Sequence, residues 1–161
     1  MSSESAHQSR EIATEIRVRY CECDPMNVAH HSVYPIWFEM GRTELLRASG
    51  QTYRAFEEAG IFLAVVSLSL KYKRPAKYDD LLTLVTRLRD VGHVKIEHTY
   101  ELRRASEVLA TGESTLACLD RDGRARPLPE SLRQGARPKM HRNEPWGRRV
   151  FASNTTIGGR A

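Results

Sequence analysis

Tyr20-Cys21-Glu22-Cys23-Asp24-Pro25-Met26-Asn27-Val28-Ala29-His30-His31-Ser32-Val33-Tyr34-Pro35-Ile36-Trp37-Phe38-Glu39 passes from strand pattern through a turn to helix pattern. On its N-terminal side Ile16, Val18 and Tyr20 alternate with Glu15, Arg17 and Arg19, the period of two that marks a half-buried strand. On its C-terminal side Tyr34, Trp37, Phe38, Gly41, Leu45 and Ala48 recur at helical spacing, and Glu39, Arg42, Glu44 and Arg47 include the opposite, polar positions. Pro35 suits a first helical turn, where its missing N–H would have had no partner, so the spacing predicts a helix opening between His31 and Ser32. Gly50 supplies the stop. One acid, Asp24, stands at the junction. Helix N-termini carry unpaired backbone N–H groups and a partial positive charge, so the same few residues can hold a carboxylate beside an array of oxyanion donors. Acyl transfer needs that pairing.

Beyond this stretch the pattern is simple. A short helix is predicted over Tyr53 to Ala59, ended by Gly60 and covering a sheet edge. Val66, Leu68, Leu70 and Tyr72 then alternate with Ser67, Ser69, Lys71 and Lys73. Val94, Ile96, His98, Tyr100 and Leu102 alternate in the same way, and two more strands are read over Leu81–Val91 and Val108–Leu119. The short connection Asp90–His93 and the Asp122-Gly123 dipeptide are hairpin-type turns. Strand, long helix, then consecutive antiparallel strands is an α+β layout in which one helix fills the concave side of a curled sheet. Gly41 in mid-helix costs about 1 kcal/mol relative to Ala, which makes sense where the helix lies close against that sheet.

With 161 residues and 40% apolar composition the chain suits one domain with a real core. It is divided here into a flexible start (1–12), the domain (13–135) and a tail (136–161). No run of about 18 apolar residues exists, and Met1-Ser2-Ser3-Glu4-Ser5 lacks the layout of a secretory signal, so no membrane span and a cytoplasmic location are expected. The formal charge of +5 is local: residues 136–161 hold six basic residues and one acid, leaving 19 of each sign elsewhere. That Pro- and Gly-bearing basic tail reads as a solvated, disordered extension, and no nucleic acid is expected as partner. Cys21, Cys23 and Cys118 form no even disulfide set, and Cys21-x-Cys23 on one strand face is sterically poor for a bridge, so they read as reduced packing residues.

The span Arg19 to Arg47, with Asp24, His31, Tyr34, Glu39 and Arg42-Thr43-Glu44-Leu45-Leu46-Arg47, together with Tyr72-Lys73-Arg74-Pro75-Ala76-Lys77-Tyr78-Asp79-Asp80, resembles the hotdog-fold acyl-CoA thioesterases of the 4-hydroxybenzoyl-CoA thioesterase and YbgC-like group. The acid followed seven positions later by the helix-opening residue, then Tyr-x-x-x-x-Glu, is the most specific part. The resemblance implies a five-stranded antiparallel sheet wrapped around one long central helix, with sheets joined across a homodimer, dimers pairing into tetramers, and active sites at the dimer interface. It further implies hydrolysis of an acyl-CoA thioester without metal or bound cofactor, coenzyme A being part of the substrate. Two departures stand out: Asn27 where relatives often place glycine, and His30 where they often place tyrosine.

Asp24 is therefore assigned as base or nucleophile and the backbone N–H of His31 as oxyanion donor, with the His31 side chain orienting water or substrate. Asn27, Val28, His30, Tyr34, Lys73 and Arg74 are the substrate-binding candidates, the last two as cations for coenzyme A phosphates. Each has a plainer reading: Asp24 as a turn residue before Pro25, His30 and His31 as cap or surface polarity, Tyr34 as core, Lys73 and Arg74 as exposed strand-end charges. A metal pair at His30-His31 is disfavoured because adjacent helical residues point about 100° apart. His98, on an apolar strand face, reads as a hydrogen-bonded core histidine, and Glu39 as structural. Two other classes stay open: a hotdog hydratase or dehydratase, and a non-enzymatic acyl-CoA or nucleic-acid binder using the basic tail.

Overall fold

Strand β1 (Glu11–Arg17) opens the part of the chain that the computed structural model describes, residues 10–133. It begins two residues ahead of the expected domain start. The expectation of a disordered basic tail falls outside the described residues. Ile16 and Val18 point inward as the alternation requires, but Tyr20 does not continue it and is 80% exposed. The cause is a single 3₁₀ turn over Tyr20–Glu22, in which the Glu22 carboxylate accepts the Arg19 N–H at 2.8 Å. Tyr20 swings out and meets the edge of Tyr78 at 5.5 Å. Cys21 and Cys23 thus lie on and just after a turn, not on one strand face, and all three cysteines are free.

Helix α1 (Val33–Ala48) starts one to two residues later than the spacing predicts, because the Val33 N–H is held by the His30 carbonyl at 3.0 Å in a preceding turn, with Ser32 as N-cap. Val33, Tyr34, Trp37, Phe38, Gly41, Leu45 and Leu46 form its buried face. Two assignments reverse. Arg42 falls on the i, i+4, i+8 row through Tyr34 and Phe38 and is buried, its stem in the core and its guanidinium reaching Glu39 at 2.8 Å. Ala48 is exposed. A Cβ on Gly41 would overlap Thr86 Oγ1 and lie 2.7 Å from Leu84 Cδ2, the close approach for which that glycine was read.

Helix α2 (Tyr53–Glu58) is capped by Thr52, whose hydroxyl accepts the Ala55 N–H. Strands β2 (Phe62–Tyr72), β3 (Leu81–Val91), β4 (Lys95–Arg104) and β5 (Glu107–Leu119) complete one antiparallel sheet in the order β1-β3-β4-β5-β2, and a last turn of helix, α3 (Glu130–Arg133), follows. The register puts Thr86, Tyr100, Gly112 and Leu70 in one row under α1. There Phe38 stacks on Tyr100 with ring centres 4.3 Å apart, and a Cβ on Gly112 would strike Phe38. One core cluster packs the first half of α1 against Leu82, Leu84, Leu102 and Leu109, and a second joins Leu46 and Phe56 to Ile96, Leu116, Leu128 and Leu132. Five strands curled round one long helix are the hotdog architecture. No helix among the described residues is long and apolar enough to cross a membrane.

Strand β2 departs from its alternation. A bulge between Val65 and Ser67 takes Val66 out of register, and as the last strand of the sheet β2 leaves Val65, Val66 and Leu68 between 42% and 47% exposed. An apolar edge of this kind has unpaired backbone groups and invites another chain.

Candidate active site

The loop between the 3₁₀ turn and α1 is a small hairpin. Cys23 bridges to Ala29, the Asp24 amide donates to the Val28 carbonyl at 2.9 Å, and the Asn27 amide donates to the Asp24 carbonyl at 2.9 Å. Asn27 turns the tip with φ +60°, a conformation that Asn tolerates better than most residues. Asp24 Oδ1 accepts the Met26 N–H at 2.8 Å, an Asx turn, so the plain turn role is real. Its second oxygen has no partner among the described residues, and Asp24 is only partly buried.

This hairpin is stitched to the chain after β2. The Ala29 N–H donates to the Ala76 carbonyl at 2.8 Å, the Ala76 N–H reaches the Tyr34 hydroxyl at 3.5 Å, and the Tyr72 hydroxyl donates to the His31 carbonyl at 2.9 Å. Between them lies a cleft of about 330 Å³ lined by Asp24, Val28, Ala29, His31, Tyr34, Tyr72, Lys73, Arg74 and Pro75. Of the eight sequence-derived candidates the cleft brings together Asp24, His31, Val28, Tyr34, Lys73 and Arg74. Asn27 sits at the hairpin tip and His30 is turned toward Ser32, its Nδ1 2.7 Å from the Ser32 hydroxyl, so neither lines the cleft. Tyr72 was not singled out and lines it. Its position one residue before Lys73 was the available signal.

Donor supply at the helix mouth is selective. The Ser32 amide points to His30 Nδ1 at 3.3 Å and the Val33 amide to the His30 carbonyl, whereas the His31 amide has no acceptor among the described residues. The imidazole of His31 is exposed and 4.0 Å, centre to centre, from that of His30. Burial pushes the Tyr34 phenol above its ordinary value, and does the same to Tyr72, so both stay neutral hydrogen-bonding groups at physiological pH. Lys73 and Arg74 are exposed at the rim, and Arg74 has only a 3.6 Å contact to Glu107. Exposed pairs of that kind are worth about 0–1 kcal/mol, so the guanidinium can be redirected to an anion at little cost. Among the described residues no three His, Cys, Asp or Glu side chains gather as a metal site.

His98 lies elsewhere, on β4 under the far half of α1. It is 4% exposed, and its Nδ1 lacks a hydrogen-bond partner, so the reading of a hydrogen-bonded core histidine holds for its burial and fails at that nitrogen.

The family profile of the thioesterase-like superfamily matches residues 18–135. YneP of Bacillus subtilis, a candidate acyl-CoA thioesterase, is 32% identical over 109 residues that cover 67% of this chain and 79% of that one. The acyl-CoA thioesterase YbgC of Haemophilus influenzae is 32% identical, covering 70% and 83%. The 4-hydroxybenzoyl-CoA thioesterase of Pseudomonas sp. strain CBS-3 has the same fold, with a TM-score of 0.73 at 20% identity over 80% of this chain and 100% of that one.

Proposed function

This chain belongs to the thioesterase-like superfamily, and from that premise we propose that it hydrolyses an acyl-CoA thioester to the free acid and coenzyme A in the cleft between Asp24 and the mouth of α1. The observation that carries the reading is the meeting of a carboxylate with a free oxygen and an uncommitted helix-end amide on the walls of one cleft. Asp24 either takes the proton of a water that attacks the thioester carbon, or attacks that carbon itself to give a mixed anhydride that a water then hydrolyses to the free acid, regenerating the carboxylate. The electron pair displaced onto the carbonyl oxygen is met by the His31 N–H, where the helix dipole adds to the hydrogen bond. Collapse of the tetrahedral species expels the thiol sulfur. A thiol has a pKa of about 8.5, so it leaves as thiolate with little acid assistance, which fits a cleft in which Asp24 is the one acid side chain among the described residues. The His31 imidazole orients the water, and Lys73 and Arg74 take the phosphates of coenzyme A. In this reading the enzyme is cytoplasmic and uses neither metal nor cofactor.

A panel of acyl-CoA esters tests it: free thiol should appear with at least one aliphatic or aromatic ester. Release of no thiol from any ester would overturn the proposal, and conversion between enoyl and hydroxyacyl products without thiol would point to the hydratase class instead.

The working unit in this proposal is a homodimer joined along β2, with two dimers assembling further. The exposed Val65, Val66 and Leu68 on that edge support it. Sedimentation should give at least twice the chain mass, and Leu68→Lys should move the population toward monomer and lower turnover in parallel. A fully active monomer would refute it.

A further inference from the structure

Glu22 is the one carboxylate in the described chain that is nearly sealed from water, 6% exposed, and it sits two residues before Asp24. Its Oε2 accepts the Arg19 N–H at 2.8 Å, and its Oε1 accepts the Arg19 guanidinium at 2.7 Å and the indole N–H of Trp37 at 3.2 Å. Trp37 is itself 1% exposed and lies one turn into α1. The Glu22 backbone carbonyl accepts the His30 N–H at 2.8 Å. One residue thus grips the helix through its side chain and the residue before the oxyanion donor through its main chain, while leading directly into the Asp24 hairpin.

Building on the thioesterase reading above, we propose that Glu22 is a positioning residue of the reaction: its carboxylate, locked to Trp37 and Arg19, sets the distance between Asp24 and the His31 amide. Burying a charge is costly unless it is paired and hydrogen-bonded, and a plain loop would be served as well by an apolar residue at this place. Desolvation raises the pKa of such a group, yet the hydrogen bonds from Arg19 and Trp37 outweigh it and hold the Glu22 carboxyl below its ordinary value. It is therefore a fixed anion with every donor aimed at it. Reaction rates respond steeply to such fixing, since a displacement of about 1 Å at the reacting groups can cost about 100-fold.

Glu22→Gln keeps the shape but sets an NH₂ against one of the Arg19 donors, so the carboxamide can satisfy fewer of the three contacts. The expected result is a fall in kcat of about tenfold or more with KM changed by less than about threefold. Trp37→Phe, which removes the indole donor together with part of the buried ring, should act in the same direction, and the double variant should lose less than the product of the two single losses because both break one contact. In a Trp146→Phe background, the indole N–H proton resonance of Trp37 should shift in Glu22→Gln. A stability control comes from Cys118→Ala in the second core cluster, which should melt lower than wild type with kcat unchanged. A Glu22→Gln protein that melts lower yet keeps wild-type kcat, or loses only KM, overturns the positioning role while leaving the thioesterase reading intact. A wild-type protein that releases no thiol overturns both.

Discussion

Asp24→Asn should lower thioester turnover by about 10²–10⁴-fold while the protein melts close to the wild-type temperature. The substitution separates the turn role that the structure shows for this side chain from the catalytic role proposed for it. Asp24 Oδ1 accepts the Met26 N–H at 2.8 Å, and the amide oxygen of Asn accepts it equally well, so the hairpin survives. What disappears is the negative charge, and with it the proposed base or nucleophile. Magnitudes keep the explanations apart. A neutral hydrogen bond contributes about 0.5–1.5 kcal/mol to stability, so loss of the turn contact would show as a lower melting temperature. A deficit of about 100-fold or more in a variant that retains the contact must come from the chemistry. Asp24→Ala should be as inactive and also less stable, since it removes the turn acceptor as well. Steady-state thiol release together with thermal melts of the two variants decides the matter, and wild-type turnover in Asp24→Asn on every accepted ester would remove Asp24 from the mechanism.

Much of the fold was legible because periodicity records which side of an element meets the core. The row Ile96, His98, Tyr100 and Leu102 is buried as its alternation requires, and β3 has the ends that were read for it. The place of the candidate site was legible for a different reason: Asp24-Pro25 and Pro35 are local backbone devices whose geometry needs no long-range information. Failures came where distant contacts override the local pattern. Tyr20 leaves the strand because Glu22 caps a 3₁₀ turn, and nothing at Tyr20 itself announces that. Arg42 lies on the apolar face because its long stem can be buried while its head reaches Glu39, which a polar-or-apolar count misreads. Val66 and Leu68 alternate like core residues yet face outward at an edge, since period distinguishes two faces and not what covers them. The burial of Glu22 had no sequence signal at all, because an acid two residues before another acid looks like surface.

Stability should fall by about 3 kcal/mol between about pH 6.5 and about pH 4 through His98 alone. The imidazole is sealed between α1 and the sheet, facing Arg42 of α1 and Tyr100 of β4, with Tyr53 of α2 and Leu132 of α3 around the same small cavity. Burial is the main reason its pKa is lowered to about 4, and the Arg42 guanidinium adds to it. The native state therefore keeps His98 neutral while the unfolded chain protonates it at about 6.5. Above that value neither state holds the extra proton and the group has no effect. As the pH falls below it the unfolded state gains a proton that the native state refuses, so stability declines until the native imidazole also titrates near 4. Glu22 is shifted in the same direction but from a lower starting value: its contribution is full above the ordinary carboxylate range and is lost as the pH falls from there through its folded value, largely below the His98 window. The two effects therefore separate on one titration. Urea midpoints for wild type and His98→Leu, taken from pH 7 to pH 4.5, should diverge in slope, with the variant nearly flat across the upper part of that interval. Leucine suits the wall formed by Leu45, Leu46, Leu63 and Leu88, so a folded protein is expected for the comparison. Parallel slopes would mean that the imidazole is hydrated or already charged in the native state, and the acid sensitivity would then belong to the carboxylates.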